Sequence, residues 1–282
     1  MSEIAGPLHW LLAPWDADLV RRAFAELVLL AMVGGTLGCW VVLFGLSYGA
    51  ESLSHAMFPG LVAATLAGAL IVVGGLGGVL VAAIAITVFG RTPIIGRDTS
   101  IAIVVSTLFG VGVLLALSPA SPPGIESLLF GNILGVSRTD LALSGALSAV
   151  IGGSLWLLHG QLLVVGFDRD HARAVGGRPL ITDGALLTLL ALAVVIAAQG
   201  VGTLLAPAVL IGPAATARHL THRMGPMMAT ATAFGIVSGA VGLYLSFYAG
   251  SAAGASVAGT IVLAYVAVAL APRRRRVGSA AA

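Results

Sequence analysis

Nine apolar runs, almost free of charge, follow one another between residues 24 and 271, at about 24–44, 52–71, 72–89, 100–117, 140–158, 181–199, 201–217, 226–247 and 254–271. A hydrocarbon layer about 30 Å thick is crossed by roughly 20 helical residues, and a helix satisfies its own backbone polar groups, as lipid requires. The runs therefore predict an all-α fold, a polytopic integral membrane helical bundle of about eight or nine transmembrane helices. Charge excludes a soluble alternative: 9% of the 282 residues are charged and 59% are hydrophobic, against about 25% charged in soluble domains. The helix count turns on Gly74-Gly75-Leu76-Gly77-Gly78. This stretch reads either as a tight turn between the second and third runs or as a flexible point inside one broken helix.

Three segments follow. Residues 1–22 carry Trp10, Trp15, Pro7 and Pro14 and read as an interfacial segment with its tryptophans at headgroup depth. They lack the basic start, apolar stretch and small-residue cleavage site of a signal peptide. Residues 23–271 form the transmembrane domain, and 272–282 a basic tail. Short cytoplasmic loops retain basic residues. Placing Arg273 to Arg276 inside and counting back puts Arg91, Arg97, Arg169, Arg173, Arg178, Arg218 and Arg223 on the same side. The C-terminus is thus expected in the cytoplasm, and the chain in the cell membrane.

All 14 basic residues are arginines, so the phosphate-binding lysine loop of ATPases is absent and no ATP-hydrolysing enzyme is read from this chain. The arginines lie between apolar runs rather than on one face, which argues against nucleic acid as a partner. The single Cys39 excludes an intrachain disulfide and a cysteine-rich zinc site. Two connections exceed a turn. Residues 118–139 contain Pro119, Pro122 and Pro123 and then an apolar, Gly-broken stretch over 127–135, readable as a re-entrant segment or as a surface loop. Residues 166–177 read as a short helix of mixed charge with a glycine stop.

Ionisable side chains at membrane depth are costly and usually mark a functional pathway. Glu26 opens the first run and is expected to snorkel or to pair with Arg22, while Asp98, Asp140 and Asp183 are expected as helix caps. His219 and His222, at i, i+3 beside Arg218 and Arg223, read as a solvated face; Met224, Met227 and Met228 read as a packing stripe. What remains is Glu51 and His55, spaced i, i+4 and followed by Pro59-Gly60. That spacing projects a carboxylate and an imidazole from one helix face, a pairing suited to Zn²⁺ or Mn²⁺. Two ligands leave a four-coordinate shell half empty, and two copies of the chain meeting on an axis would complete it. The alternatives are a packing histidine and a capping glutamate.

These residues and several others resemble the permease subunit of the manganese/zinc/iron metal ABC importers, the ABC-3 family. Glu51-Ser52-Leu53-Ser54-His55-Ala56 with Pro59-Gly60 is similar to the family's GDALSHA-PG-like segment. Leu129-Phe130-Gly131-Asn132-Ile133-Leu134 is similar to its outer-loop stretch, Phe167-Asp168 to Ala174 to its FD-x-E-x-A-like loop, Pro213 to Arg218 to its PAATAR segment, and Gly242 to Tyr248 to its GLYLSYY-like span. The resemblance implies a permease subunit that pairs with a second copy of itself in the lipid membrane. It further implies an extracytoplasmic metal-binding solute-binding protein that delivers the ion, and a separate ABC ATPase subunit that drives its passage. It assigns Glu51 and His55 to the metal, which is cargo, Zn²⁺ or Mn²⁺ with Fe²⁺ also compatible; no permanently bound cofactor is implied. It assigns Phe167, Asp168, Arg169, Asp170, Ala172 and Arg173 to the loop that docks on the ATPase. Glu51 stands where the family carries Asp, and Ala50 where it carries Gly. Alternative readings are a secondary carrier or channel coupled to protons or metal, and a permease for a chelate such as a siderophore or haem.

Overall fold

The computed structural model describes residues 13–89, 97–119, 121 and 127–271. After a 3-10 turn at Ala13–Asp16 come α1 (Asp18–Leu43), α2 (Ser47–Leu66), α3 (Ile71–Phe89), α4 (Arg97–Ala116), the one-turn α5 (Ser127–Phe130) and a 3-10 turn at Ile133–Gly135. They are followed by α6 (Arg138–Phe167), the short α7 (Arg169–Ala174), α8 (Pro179–Val201), α9 (Ala206–Leu220), α10 (Met224–Ala249) and α11 (Ala253–Leu270). The nine longer helices among the described residues coincide one for one with the nine apolar runs. Five of them, α1, α6, α8, α10 and α11, are long and apolar enough to cross a membrane by length and composition. The chain is a multi-pass membrane protein.

The second and third runs are separate helices, and the turn between them does not fall in the glycine run. It falls at Ala67 to Leu70, where Gly68 takes φ +63°. The glycines lie inside α3 as a contact strip. A Cβ on Gly74 would lie 3.0 Å from the carbonyl carbon of Gly60 and closer still to its oxygen, and one on Gly78 would lie 2.9 Å from the Cα of Met57. Small residues let two helix backbones touch, and this is how α3 lies directly on α2. Length thus favours the two-helix reading, and packing explains the composition.

Two helices make the centre. α8 is buried almost continuously from Leu189 to Val201, and α1 packs against α6, α8, α9 and α10. Its Gly34 and Gly35 let the backbones of α9 and α10 come close, at Leu210 and Thr232. Trp40, Phe58, Met57, Leu61, Ile151, Leu190 and Ile196 fill the core. By contrast α6 buries few residues and shows Val150, Trp156 and Leu157 outward, as a helix on the lipid side of a bundle does.

The stretch 127–135 lies against the protein through some of its apolar residues while Phe130, Asn132 and Gly135 stay exposed, which fits the surface-loop reading as well as the re-entrant one. Leu128 and Ile133 are buried, and the N–H groups of Thr203 and Leu204 donate to the carbonyls of Leu128 and Leu129 at 2.9 and 3.2 Å. α1 begins at Asp18 and so includes Arg21 and Arg22. The Trp15 indole N–H donates to the Tyr244 hydroxyl, and its ring meets Phe24 edge-on at 4.9 Å. Residues 1–12, 90–96 and 272–282, with Trp10, Arg91 and the arginine tail, lie outside the described residues.

Candidate functional site

The polarity of helix α2 is one-sided. Ala50, Ser54, Met57, Phe58 and Leu61 face the core, while Tyr48 and Glu51 are exposed and Ser52 and His55 half-buried. At 3.6 residues per turn these four positions form one open stripe. The Ser54 hydroxyl, on the buried side, donates to its own helix at the Ala50 carbonyl, 2.9 Å away. Glu51 stands a full turn inside α2, which begins at Ser47, so it is not a capping residue.

The imidazole of His55 is held edge-on to the ring of Phe109 on α4, centroids 4.9 Å apart at 73°, and Phe109 in turn packs on Phe58 at 5.5 Å. This clamp fixes the ring plane. Nδ1 of His55 is buried and has no hydrogen-bond partner. Among the described residues the Glu51 carboxylate takes no hydrogen bond or ion pair, and no three His, Cys, Asp or Glu side chains gather around one point. The Glu51 carboxylate and the His55 imidazole therefore lie on one helix face, on the side away from the chain's own core. The capping reading of Glu51 is not met, whereas His55 does pack on Phe109.

The residues of the 166–177 connection form a short, locally fixed helix. Asp168 caps α7, accepting from the backbone N–H groups of Asp170 at 3.0 Å and His171 at 2.9 Å. Those donors hold its carboxyl below the ordinary carboxylate range, His171 foremost. Arg173 pairs with Asp170 at 2.7 Å, Ala172 is fully buried beneath them, and Gly176 at φ +82° ends the helix. Phe167 is left 69% exposed at the tip of α6. Arg169 forms a two-pronged bridge to Asp183, at 2.9 and 3.1 Å, and lies over the ring of Phe44. This corrects the expectation for Asp183: it lies a turn inside α8 and anchors α7 rather than capping its own helix. The sequence carried no sign of it, because Arg169 and Asp183 are fourteen residues apart.

Of the remaining expectations, those for Glu26 and for the shared face of His219 and His222 resolve differently, and those for Asp140 and the methionines hold. Glu26 neither snorkels nor pairs with Arg22: it is 1% exposed and accepts from the Ser144 hydroxyl at 2.8 Å, while Arg22 pairs with Asp18 at 3.3 Å. Asp140 completes a reciprocal capping box with Ser137, as expected of a helix start. His219 and His222 do not share a helix face, since α9 ends at Leu220 and Thr221 is extended. The methionines pack as expected, around Cys39 and Ala231.

The chain is thus a many-helix membrane bundle with a polar stripe along one of its helices and a short charged helix between two longer ones. The profile of the ABC 3 transport family matches residues 16–271, and the chain belongs to that family. It is 32% identical over 268 residues to a probable iron transport system membrane protein of Haemophilus influenzae, covering 95% of this chain and 98% of that one. It is 32% identical to the manganese transport system membrane protein MntC of Listeria monocytogenes, covering 91% and 92%. Among solved structures it resembles a chain of PsaBC from Streptococcus pneumoniae in complex with Fab, with TM-score 0.89 and 30% identity over 96% of this chain and 98% of that one. An inward-facing putative metal-chelate type ABC transporter shares the fold at TM-score 0.64 and 15% identity, over 95% of this chain and 90% of that one.

Proposed function

We propose that this chain is the membrane permease of an ATP-driven importer for a divalent first-row transition metal, and that Glu51 and His55 bind the ion in transit. The observation that carries the reading is the open stripe on α2, where a clamped imidazole with an orphaned Nδ1 stands one turn from an unpaired carboxylate. In an apolar bundle such a pair needs a cation or a partner surface to offset its desolvation. Two copies of the chain, stripe to stripe, give two carboxylates and two imidazoles, a four-ligand site for manganese, iron or zinc. Manganese and iron are named for the relatives above. A mixed N/O set keeps moderate affinity for each of these ions, which suits a site that must also release them.

The motor lies on another chain, because this one has no lysine for a nucleotide loop. The cytoplasmic attachment is the surface of α7, with Phe167, Asp168, Asp170 and Arg173 outward and Ala172 and Arg169 fixing it to the bundle. A rigid anchor is what a coupling element requires, since motion of the ATPase then moves α6 and α8 with it. An extracytoplasmic binding protein supplies the ion on the opposite side, and the C-terminal arginines face the cytoplasm. Metal uptake in a strain starved of manganese tests the site. Glu51→Ala and His55→Ala should each abolish uptake at unchanged membrane abundance, and normal uptake by both would end the assignment. Uptake that persists without an ATPase subunit would instead make the chain a secondary carrier.

A further inference from the structure

A second polar centre lies outside the α2 stripe, where α1, α6, the end of α8 and the 127–135 stretch meet. Glu26, Asn132, Asp140, Ser144 and Gln199 line a cavity of about 200 Å³ there, enough for one ion and a few waters. Glu26 is 1% exposed; its Oε1 accepts from Ser144, and its Oε2 is buried with no partner. Among the described residues no Arg or His forms an ion pair with Glu26, and the nearest arginine in sequence, Arg22, is turned to Asp18 and to the carbonyl of Val136. Asp140, which lines the cavity, spends Oδ2 on the N–H and hydroxyl of Ser137 and keeps Oδ1 free of side-chain partners among the described residues. Asn132 Oδ1 accepts from the Gly135 N–H at 3.1 Å and retains a second lone pair. A half-satisfied carboxylate in this position is costly unless something in the cavity completes it.

We propose that this cavity is a binding site for a hard divalent cation of the calcium or magnesium class, distinct from Glu51 and His55. Every ligand atom offered is oxygen: two carboxylates, two amide carbonyls and a hydroxyl, with water completing the shell. Oxygen-only shells select Ca²⁺, Mg²⁺ or Mn²⁺ and disfavour zinc, which prefers nitrogen and sulfur. The ion ties four segments together, and through Asn132 it fixes the 127–135 stretch against the bundle. Its role is to set the shape of that end of the permease rather than to carry cargo.

The purified full-length chain in detergent, stripped with chelator, is titrated with calcium by equilibrium dialysis and by thermal unfolding. The expected result is about one calcium per chain and a rise in melting temperature of about 2–4 °C at saturation. Glu26→Gln and Gln199→Ala should each lose both, with Glu26→Gln keeping the acceptor for Ser144 and hence the fold. The double variant Glu51→Ala/His55→Ala should keep both, so the outcome is independent of whether the α2 stripe carries metal. No bound calcium in the wild type, binding that survives Glu26→Gln, or binding lost with Glu51 and His55 would overturn the proposal.

Discussion

Gly74→Ala, set beside Gly77→Ala in the same helix, tests whether α2 is held by backbone contact. A Cβ on Gly77 meets nothing within 4 Å, whereas one on Gly74 falls within 3.0 Å of the Gly60 carbonyl carbon and against the Cβ of Ala64. An ordinary Cβ contact begins near 3.4 Å. The obstacle is backbone and a methyl, with no flexible end to swing away, so α3 must retreat from α2 by roughly 0.5–1 Å. Overpacking of this kind costs about 1–3 kcal/mol. Alanine regains up to about 1 kcal/mol of helix propensity at either position. Gly74→Ala should therefore be destabilised by about 1–2 kcal/mol net and Gly77→Ala stabilised by up to about 1 kcal/mol. At about 2–4 °C per kcal/mol for a chain of this size, their melting temperatures should differ by roughly 2–12 °C. Fluorescence-detected gel filtration after heating, in one detergent, reads this directly. Equal melting temperatures, or a more stable Gly74→Ala, would refute backbone contact between the two helices. Metal uptake by Gly74→Ala should also fall, since α2 carries Glu51 and His55.

Other perturbations read other parts of the molecule. Ser144→Ala removes the hydroxyl that serves Glu26 and should destabilise by about 1–3 kcal/mol in thermal unfolding; a neutral result would mean that the carboxyl finds another donor. Arg169→Ala should cost only about 0.5–1 kcal/mol of global stability, because the bridge to Asp183 is partly exposed. It should nonetheless sharply increase protease cleavage across α7, and the exchanged pair Arg169→Asp/Asp183→Arg should restore protection. The Asp168 carboxyl is lowered by the N–H donors of His171 and Asp170. A lowered folded value contributes stability above the ordinary carboxylate range and loses it as pH falls through the folded value. Amide protection at Asp170 and His171 should thus be flat from about pH 8 to 5 and decay only in stronger acid. Asp168→Asn should remove that acid-dependent decay, and a decline between pH 7 and 5 in the wild type would contradict the cap.

The α2 stripe was legible in the sequence because Glu51 and His55 stand four residues apart on one helix, and local spacing alone sets their common face. Nothing local marked the buried side of Glu26 or the anchor at Asp183. Their partners, Ser144 and Arg169, are 118 and 14 residues away. Glycine carried opposite meanings: Gly68 makes the turn through its positive φ, while Gly74 and Gly78 lie in regular helix and are needed for what touches them.

The sequence by itself determined a bundle of eight or nine helices and the membrane around them, and the structure decided for nine longer helices among the described residues. Lipid offers the backbone no hydrogen bonds, so apolar length and the scarcity of charge leave a helix as the solution for each run. It also determined that the chain holds no phosphate-binding lysine loop, since no lysine is present. Only the tertiary structure decided which polar groups meet: His55 clamped by Phe109 with its Nδ1 free, Glu26 closed into a cavity with Asn132 and Gln199, and α7 pinned to α8. In a chain this uniformly apolar, hydrophobic periodicity barely distinguishes one helix face from another. Orientation is set instead by where small residues allow backbones to touch, and that depends on both helices of each pair.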